Sequence, residues 1–574
     1  MKYANWNVPE HGAELSEALL RDGCTPLLAA VMQLRGITEP ADAREFLRGG
    51  EEILSDPFKL PEMGAAVNRI QHAITTGEHV AVYGDYDVDG ITSTCLLSDY
   101  LRGKGLTCES YIPDRLTEGY GLNNAAIDKL HAMGVSLIIT VDCGITNIDE
   151  ARHAAELGMD MIITDHHESR DDILEQLSDT VIAIVDPKIP GAGTDPSEAT
   201  LAGVGVAFKL VCAMDGDAHR ILERYSDLVA VGTVADVMQL QGENRFITRH
   251  GLRKITDKTC RPGFLALAEA AGVHARPFTA SNVSFALAPR INAAGRLGRP
   301  LVALRLLEEQ DYGRAKRYAD ELCKMNMERK DIESDIWGQA EEQVKKDYGE
   351  HPDAPLVLAG ENWHQGVIGI VASRLADKYS VPAIMISFDG SDGAGKGSCR
   401  SIGTFNLFEA LSSSVDCLEG FGGHAMAAGV TVRRENVEAL RSRMREFYFA
   451  HPDHAAPALK AEIRIDRAGY LTQEGVESLD LLEPCGNGNP RPLFYMENVM
   501  LRTVTPIGGG KHLRLRLEKF GEGYDAVFFG QTVKDLDAHG GQACDVIFAP
   551  QINDFRNIRT VQLVITDLRR SEEQ

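Results

Sequence analysis

Residues 79–90, HVAVYGDYDVDG, contain three aspartates at alternate positions: Asp85, Asp87 and Asp89. In an extended segment, residues i, i+2 and i+4 point to the same face, so this spacing predicts three carboxylates that converge on one point. Carboxylates held this close repel one another unless cations neutralise them. The segment therefore predicts a cation-binding site.

Three later apolar segments also end in polar residues: SLIITVDCG at Asp142, MDMIITDHH at Asp165, His166 and His167, and LVAVGTVADVM at Asp236. Buried parallel strands are continuous Val/Ile-rich runs, and ligands of open α/β sheets bind at the carboxyl ends of the strands. A single aspartate in such a place is often only a turn residue or a helix N-cap, but four clusters favour a shared crevice. Oxygen-rich ligands with one or two imidazoles suit Mg²⁺ or Mn²⁺.

These four segments occur together with PRINAAGRLG at 289–298, GSCRS at 397–401 and GGHAMAAG at 422–429. In this order the motifs resemble the RecJ family of the DHH phosphoesterase superfamily, and they span roughly residues 80–490. The family consists of bacterial exonucleases that act on single-stranded DNA in the 5′→3′ direction. The resemblance implies an enzyme of DNA repair and recombination that degrades single strands to 5′-mononucleotides.

Hydrolysis of a phosphodiester can use two metal ions, which acidify water and stabilise the attacking and leaving oxygens. We assign two divalent cations, Mg²⁺ or Mn²⁺, to six ligands with Asp142 as the bridge: Asp85, Asp87, Asp89, Asp142, His166 and Asp236. Many DHH enzymes have a metal-binding histidine where this chain has Tyr83, and Asp85 could take its place. Because adjacent histidines rarely bind one ion, Asp165 and His167 are assigned to supporting or phosphate contacts. They and His424 of GGHAMAAG form the predicted catalytic set.

A further group of residues is expected to bind DNA and its 5′-phosphate: Arg115, Tyr120, Arg290, Asn292, Arg296, Ser398, Arg400, Ser401, Arg514 and Arg516. Arg115 and Tyr120 follow the second predicted strand and so face the same crevice. The loop GSDGAGKGSCRSIG resembles the start of a P-loop, but Gly397 stands where Ser or Thr would bind Mg²⁺, so ATP binding is not expected. We read this loop as a glycine-rich turn whose backbone N–H groups could instead hold one phosphate.

A length of 574 residues predicts several domains. The expected fold is α/β, with a DHH-type parallel-sheet domain and a smaller DHH-associated α/β domain joined by a long helix, and a C-terminal OB-like β-barrel. The predicted boundaries are an N-terminal helical arm that packs on the next domain (1–60), the DHH catalytic domain (61–310), the connecting helix (311–349), the DHH-associated domain (350–455) and the OB-like nucleic-acid-binding domain (456–574).

In the last segment, KHLRLRLE predicts a strand with Leu513, Leu515 and Leu517 facing inward and Arg514 and Arg516 facing outward. Outward arginines could follow a nucleic-acid backbone, although a solvated strand face predicts the same pattern. The segment holds 14 basic and 17 acidic residues, so it is much closer to neutral than the rest of the chain.

The net charge of −25 has the wrong sign for a protein that coats nucleic acid, so contact with single-stranded DNA requires a local basic groove. Eleven cysteines without a C-x-x-C pair are typical of reduced thiols. No apolar run reaches the roughly 18 residues of a membrane span, and the first residues do not resemble a signal peptide. We expect a cytoplasmic protein with no membrane contact. The resemblance also implies a single-strand-binding protein and a helicase as partners.

Three alternatives remain open. The chain could be another DHH hydrolase acting on small molecules, such as a pyrophosphatase, a nanoRNase or a cyclic-dinucleotide phosphodiesterase, although the additional barrel favours a polymer. It could be a non-catalytic replication scaffold, which the full set of acids argues against because closely packed carboxylates are costly to retain. An unrelated metal-binding structural protein is the third.

Overall fold

The computed structural model describes residues 5–119, 121–190, 198–273, 277–390, 393–452, 458–555 and 558–571. The chain forms two compact units, one of Met1–Ile53 with Ala456–Gln574 and one of Leu54–Ala455. Within the described ranges, no helix is both long enough and apolar enough to cross a bilayer.

The first unit begins with a short strand and three helices: β1 (Trp6–Asn7), α1 (Glu17–Arg21), α2 (Pro26–Leu34) and α3 (Pro40–Arg48). Helix α2 starts as its sequence predicts, because the Thr25 hydroxyl accepts a hydrogen bond from Leu28 N–H and Pro26 fills the first turn, where a missing N–H costs nothing. Its residues Leu27–Met32 are all buried.

Residues 54–309 contain the predicted alternation of strands and helices. The strands are β2 (His79–Gly84), β3 (Thr107–Tyr111), β4 (Leu137–Val141), β5 (Asp160–Thr164) and β6 (Ala183–Val185). The helices are α4 (Met63–Thr76), α5 (Val88–Gly103), α6 (Asn124–Ala132), α7 (Ile148–Glu156), α8 (Ile173–Leu177), α9 (Gly203–Asp215), α10 (Ala218–Ala235), α11 (Gly242–Asp257), α12 (Pro262–Ala270), α13 (Ala280–Asn282), α14 (Ala288–Arg296) and α15 (Pro300–Glu308).

The five strands are parallel in the order β3-β2-β4-β5-β6. Chain order reverses between β2 and β4, and in open α/β sheets a ligand crevice forms outside the carboxyl ends of the strands at this point. The predicted parallel sheet is confirmed.

The segment that ends at Asp236 is not a strand, so this part of the prediction is wrong. Residues 228–234 are buried but belong to helix α10, and Asp236 is its C-cap. A helix that is covered on all sides is as continuously apolar as a buried strand, so the hydrophobic pattern could not distinguish them.

The second half of this unit starts with one long helix, as expected, and continues as a mixed sheet. The elements are α16 (Tyr312–Asp347), β7 (Leu356–Glu361), α17 (Gln365–Tyr379), β8 (Ala383–Phe388), β9 (Ala394–Arg400), α18 (Leu407–Ser412), β10 (Gly420–Gly423), β11 (Ala427–Arg433) and α19 (Val437–Ala450). The strand order is β10-β11-β9-β8-β7. Ile336, Ala340 and Val344 of α16 belong to the core of this sheet.

The C-terminal segment forms β12 (Leu459–Lys460), β13 (Ile463–Arg464), α20 (Gln473–Ser478), β14 (Phe494–Ile507), β15 (His512–Lys519), β16 (Glu522–Phe529), β17 (Ala543–Phe555) and β18 (Ile558–Arg570). The sheet order is β13-β14-β15-β16-β18-β17, and β17 also pairs with β14, which closes five strands into a barrel. On β15 the predicted alternation is confirmed: Leu513, Leu515 and Leu517 are buried, and Arg514 and Arg516 are exposed.

The expectation that the N-terminal arm packs on the next domain is wrong for Met1–Ile53, which form one unit with the C-terminal segment. It is correct for the end of the arm, where Ser55 accepts a hydrogen bond from Lys209 of α9. Strand β1 pairs in parallel with β12, and the Trp6 indole N–H donates to Asp567 at 2.9 Å. Leu28 and Val31 of α2 lie in the same apolar core as Phe494 of the barrel. An apolar helix face is buried by whichever surface complements it, and sequence distance does not decide which.

This shared core predicts that the two ends of the chain depend on each other. Removing residues 456–574 alone would expose the apolar face of α2, so the fragment 1–455 should aggregate, whereas the fragment 54–455 should stay monomeric and unfold cooperatively. Light scattering after gel filtration and scanning calorimetry of both fragments beside the full chain would check this. Equal solubility of the two fragments would contradict it.

Candidate active site

The aspartates of YGDYDVDG converge in a turn, not along a strand as expected. Strand β2 ends at Gly84 and the chain turns directly into α5. Asp87 is the N-cap of α5, where its carboxylate accepts a hydrogen bond from Gly90 N–H at 3.1 Å. A Cβ on Gly90 would lie 2.5 Å from Asp85 N, so the turn requires a glycine there.

Residues from β2, β4, β5 and α10 meet in three groups whose potential ligand atoms lie within 4.8 Å of one another. The groups are Asp85 with Asp87 and Asp142, Asp89 with His166 and Asp236, and Asp142 with His166 and His167. All six predicted metal ligands thus lie in one cluster. Asp142 and His166 each belong to two groups, and of these two side chains only the carboxylate has two oxygens with which to bind two ions, which fits the predicted role of Asp142 as a bridge.

The local backbone holds Asp142 and Asp89 in place. Asp142 has a left-handed backbone, with φ of 59°. A Cβ on Gly203 would lie 2.5 Å from the Asp142 Cβ, so α9 can begin beside this aspartate only with glycine. The N–H groups of Gly203 and Val204 donate to Asp89 at 2.6 and 2.9 Å, and a helix N-terminus stabilises such a carboxylate.

Burial and mutual repulsion shift the pKa values of the cluster. Burial, followed by repulsion from Asp236, raises the pKa of Asp89 well above its usual range. Burial and then repulsion from Asp89 do the same to the pKa of Asp142. Burial raises the pKa of Asp236 to about 7, with Asp87 adding to the shift. At neutral pH these carboxylates are therefore held together at an energetic cost.

The donor set fits divalent cations. Oδ1 of Asp85 is buried and has no hydrogen-bond partner among the described residues, as expected of an atom that serves as a ligand. Burial lowers the pKa of His166 to about 3, so its imidazole is neutral and able to bind a metal. Carboxylates with one or two imidazoles suit Mg²⁺ or Mn²⁺.

His167 is held by Asp165. Nδ1 of His167 donates to Asp165 at 2.7 Å, and Ile145 N–H donates to the same carboxylate at 3.0 Å. Although burial opposes it, this contact raises the pKa of His167 to about 9. Both neighbouring imidazoles have a nitrogen within 4.8 Å of an Asp142 oxygen, and the assignment of His167 to a supporting or phosphate contact stays a prediction. Asp165 accordingly orients His167.

Tyr83 does not replace the missing histidine. Its hydroxyl donates to the carbonyl of Gly121 at 3.1 Å, and its ring stacks on Tyr111 with centroids 4.9 Å apart. The side chain is fully buried in an apolar core of the sheet. Tyr83 therefore provides no ligand, and the candidates that follow this strand are Asp85, Asp87 and Asp89.

Asp186 is a further strand-end carboxylate that the sequence reasoning missed. It follows β6 and is fully buried; Oδ1 accepts from Lys188 N–H at 2.8 Å, and Oδ2 has no partner among the residues described. Burial and then repulsion from Asp165 raise its pKa to about 7. The signal was present, because VIAIVDP repeats the pattern of an apolar run that ends in aspartate.

A basic pocket adjoins the acidic cluster. This cavity of about 390 Å³ is lined by Arg115, Gln365, Lys396, Ser398 and Arg400, among others. The positive charge of Arg115 is one of the influences on the pKa of Asp85, although burial dominates there. Two different sheets contribute residues to the lining of this pocket, since Arg115 follows β3 whereas Ser398 and Arg400 lie on β9.

Arg296 makes this region more positive. One of its N–H groups donates to the carbonyl of Gly366 at 3.0 Å. Burial, and then repulsion from Arg115, Arg329 and Arg400, lower the pKa of Arg296 to about 10. Guanidinium groups that repel one another favour an anion between them. Of the predicted phosphate contacts, Arg115, Arg296, Ser398 and Arg400 are thus brought together.

The glycine-rich segment is not the expected turn over Ala394–Arg400. These residues form β9, which pairs with β8 on one side and β11 on the other, so its N–H groups serve the sheet. The predicted backbone cradle is therefore wrong for this stretch. Ser401 also differs from expectation, because it is buried, its hydroxyl donates to the Phe405 carbonyl at 2.6 Å, and it does not line the pocket.

Other predicted residues lie elsewhere, and their roles stay predictions. Arg290 donates to the Ala286 carbonyl at 2.7 Å and to Cys323 Sγ at 3.2 Å, and Asn292 is half-buried on the same helix. His424 is exposed between β10 and β11. Arg516 pairs with Asp525 at 2.9 Å, and Arg514 is exposed on the same strand. Tyr120 lies outside the described residues.

Residues 79–233 match the DHH family, N-terminal domain, residues 353–448 the DHHA1 domain, and residues 465–567 the RecJ OB domain. The chain is 38% identical over 553 residues to a single-stranded-DNA-specific exonuclease RecJ of Bacillus subtilis, covering 96% of this chain and 69% of that one. It is 34% identical to RecJ of Escherichia coli, covering 95% of this chain and 96% of the other.

This chain belongs to the RecJ family. The RecJ crystal structure from Thermus thermophilus in complex with Mn²⁺ matches with a TM-score of 0.81 and 30% identity, covering 99% of this chain and 80% of that one. The RecJ resemblance and the fold class predicted from the sequence are therefore confirmed.

Without metal, the protein is expected to lose stability as the pH rises from about 5 to 8. A carboxyl group whose pKa is raised by folding favours the folded state at low pH, and this contribution disappears as the pH rises through the folded-state pKa. For Asp236 and Asp186 that value is about 7. Mn²⁺ should restore the Tm at pH 8 and have less effect at pH 5, where protons compete with the metal.

Scanning calorimetry in chelator and in Mn²⁺, at both pH values, checks this expectation. Asp142→Asn removes one repelling charge, so it should raise the metal-free Tm at pH 8 and reduce the increase that Mn²⁺ causes. Asp149→Asn, at an exposed carboxylate on α7, is the matched control and should change neither value. A metal-free Tm that is constant or rises between the two pH values would contradict the argument.

Proposed function

We propose that this chain is a divalent-metal-dependent exonuclease that degrades single-stranded DNA from the 5′ end to 5′-mononucleotides. The observation that carries the proposal is an acidic metal-ligand cluster beside a basic pocket within residues 54–455. The relatives named single-stranded-DNA-specific exonuclease RecJ support the substrate class. DNA repair and recombination would be the cellular role.

The cluster would hold two cations, and RecJ structures of Thermus thermophilus in complex with Mn²⁺ and with Mg²⁺ support both metals. When bound, such ions acidify water and neutralise charge on the phosphodiester. Asp142 would be shared between them, with Asp85 and Asp87 on one side and Asp89 and His166 on the other. Asp165 would fix the ring of His167 towards the same site.

Recognition of an end explains the polarity. A terminal 5′-phosphate carries more negative charge than an internal one and has free oxygens, which guanidinium groups bind in pairs. Arg115, Arg296 and Arg400, with Ser398, would bind this group, and the adjacent cluster would cleave the next linkage inward. Each cycle would then release one 5′-mononucleotide.

The barrel would hold the rest of the strand. Its match to the RecJ OB domain and the exposed Arg514 on β15 support this role. We also propose that the protein acts on DNA in the cytoplasm together with a single-strand-binding protein and a helicase, which the family resemblance implies.

Strands labelled at the 5′ or the 3′ end, incubated with Mg²⁺ or Mn²⁺ and resolved by length, test the proposed activity. A 5′-labelled strand should release labelled mononucleotide at once, whereas a 3′-labelled strand should shorten in steps. Chelator should abolish both reactions, and Asp142→Ala should lower the rate by several orders of magnitude. Degradation from the 3′ end, full activity in chelator, or cleavage of dinucleotides alone would contradict the proposal.

The basic pocket predicts that a 5′-phosphorylated strand is degraded faster than a 5′-hydroxyl strand. Arg400→Ala should reduce this preference by about 10- to 150-fold, the effect of losing one charge-assisted hydrogen bond of about 1.5–3 kcal/mol. Arg433→Ala is the matched control, because Arg433 is exposed on β11 and pairs with Glu419 at 2.6 Å. The kcat/KM ratio of the two strands is the measurement, and an unchanged ratio in Arg400→Ala would exclude this arginine from end recognition.

A further inference from the structure

Phe285 is the most exposed of the large apolar side chains in the described residues, with 81% of its surface accessible. It lies in one turn of π-helix, Val283–Leu287, in which Ala288 N–H donates to the carbonyl of Val283. Val283 and Leu287 on either side are fully buried. The ring therefore projects from a well-anchored turn, and π-turns of this kind are frequent at functional sites.

Scattered exposed apolar residues are normal on protein surfaces, so exposure alone would mean little. The surroundings of Phe285 distinguish it. The π-turn packs against α10, the helix whose C-cap is the candidate ligand Asp236. It leads directly into α14, which ends at Arg296, whose guanidinium donates to the carbonyl of Gly366 in the lining of the basic pocket. Phe285 thus lies on a segment that contacts α10, which ends at the acidic cluster, and that continues into α14, which ends at Arg296.

A cation lies beside this turn, and a second exposed apolar residue lies on the helix that the cation also contacts. Arg290 donates to the carbonyl of Ala286, the residue after Phe285, at 2.7 Å, and to Cys323 Sγ on α16 at 3.2 Å. Met327 follows Cys323 by one helical turn, so it lies on the same face of α16, and 63% of its surface is accessible.

Such a surface matches one class of ligand. Single-stranded nucleic acid is bound by aromatic rings on which bases stack, combined with cations that contact the backbone. Arg290 uses two of its five N–H donors in the contacts above, so others can face a phosphate. An apolar protein interface would need a larger contiguous apolar patch than one exposed ring and one thioether near a charged residue.

We propose that Phe285 is a base-stacking residue that holds one nucleobase of the single strand, with Met327 packing beside it and Arg290 contacting the backbone. This inference rests on the proposed function and extends it to a residue outside the metal cluster and the phosphate pocket. The bound base would fix the register of the strand behind the end that is being cut.

The test is a double-mutant cycle in which the Phe285 ring and one base of the strand are removed separately and together. Binding of a 5′-phosphorylated strand of about 20 nucleotides is measured by fluorescence anisotropy in chelator, which prevents the proposed cleavage. Strands with a single abasic position, moved along the sequence, are compared with the intact strand. In the unchanged protein, one position should weaken binding by about 5- to 150-fold, the range for one base stacked on an aromatic ring.

In Phe285→Ala, intact strands should bind as weakly as that abasic strand does to the unchanged protein, and the abasic position should cause no further loss. Phe285→Trp should retain the position-specific effect. Phe58→Ala is the matched control, since Phe58 is another exposed phenylalanine of the same unit, 54% accessible, and should leave every affinity unchanged. The Tm of each variant shows that the fold is intact.

The outcomes separate this inference from the proposed function. If the unchanged protein neither binds nor cuts single strands, the proposed function fails. If it does both but the abasic effect is the same in Phe285→Ala, or Phe58→Ala causes an equal loss, only the stacking role of Phe285 is overturned.

Discussion

The burial of several carboxylates that also repel one another is the constraint on which this structure depends. Asp89 and Asp142 are withdrawn from water with Asp85, Asp87 and Asp236 around them, and isolated buried charges are among the most costly groups that a protein can contain. The fold offsets part of this cost through N–H groups at the start of α9 and a glycine that lets α9 approach β4. Divalent cations would offset the rest, so retention of this arrangement is understandable only in a metal-dependent protein.

The second constraint is that a group of arginines with positive charge lies beside the acidic cluster. The guanidinium groups of Arg115 and Arg400 repel that of Arg296, and Arg115 lies over the ring of Tyr86, between Asp85 and Asp87 in the sequence. In a chain of net charge −25 this local excess of positive charge is conspicuous. A phosphodiester strand needs both fields, because its end can bind the cationic side while the linkage to be cleaved approaches the metals. The net charge of the chain therefore does not indicate whether it binds an anionic ligand, whereas the local distribution of charge does.

Helix α16 makes this geometry possible. Its C-terminal half is part of the core of the second sheet, and its middle contains the buried ion pair of Arg329 with Glu333, which also pairs with Arg374 on α17. A continuous helix of this length spans about 54 Å and has packing contacts in its middle and in its C-terminal half. The pocket residues that come from two different sheets consequently depend on it for their spacing.

The amino-acid sequence by itself determined the parallel sheet, the long helix, the barrel and the set of candidate metal ligands. These follow from local patterns, such as buried Val/Ile runs, the alternation on β15 and the types of residue at the strand ends. The RecJ motifs added the family and the activity.

Tertiary structure decided what local patterns leave open. The apolar run before Asp236 is buried on all sides, so its pattern does not show whether it is a strand or a helix. In the structure it is a helix, and Asp236 reaches the cluster from the end of that helix. Asp85, Asp87 and Asp89 meet because Gly90 allows a turn that strand periodicity does not describe. The partner of α2 is the barrel, far away in the sequence, because burial of an apolar face depends on complementary shape in three dimensions and not on position along the chain.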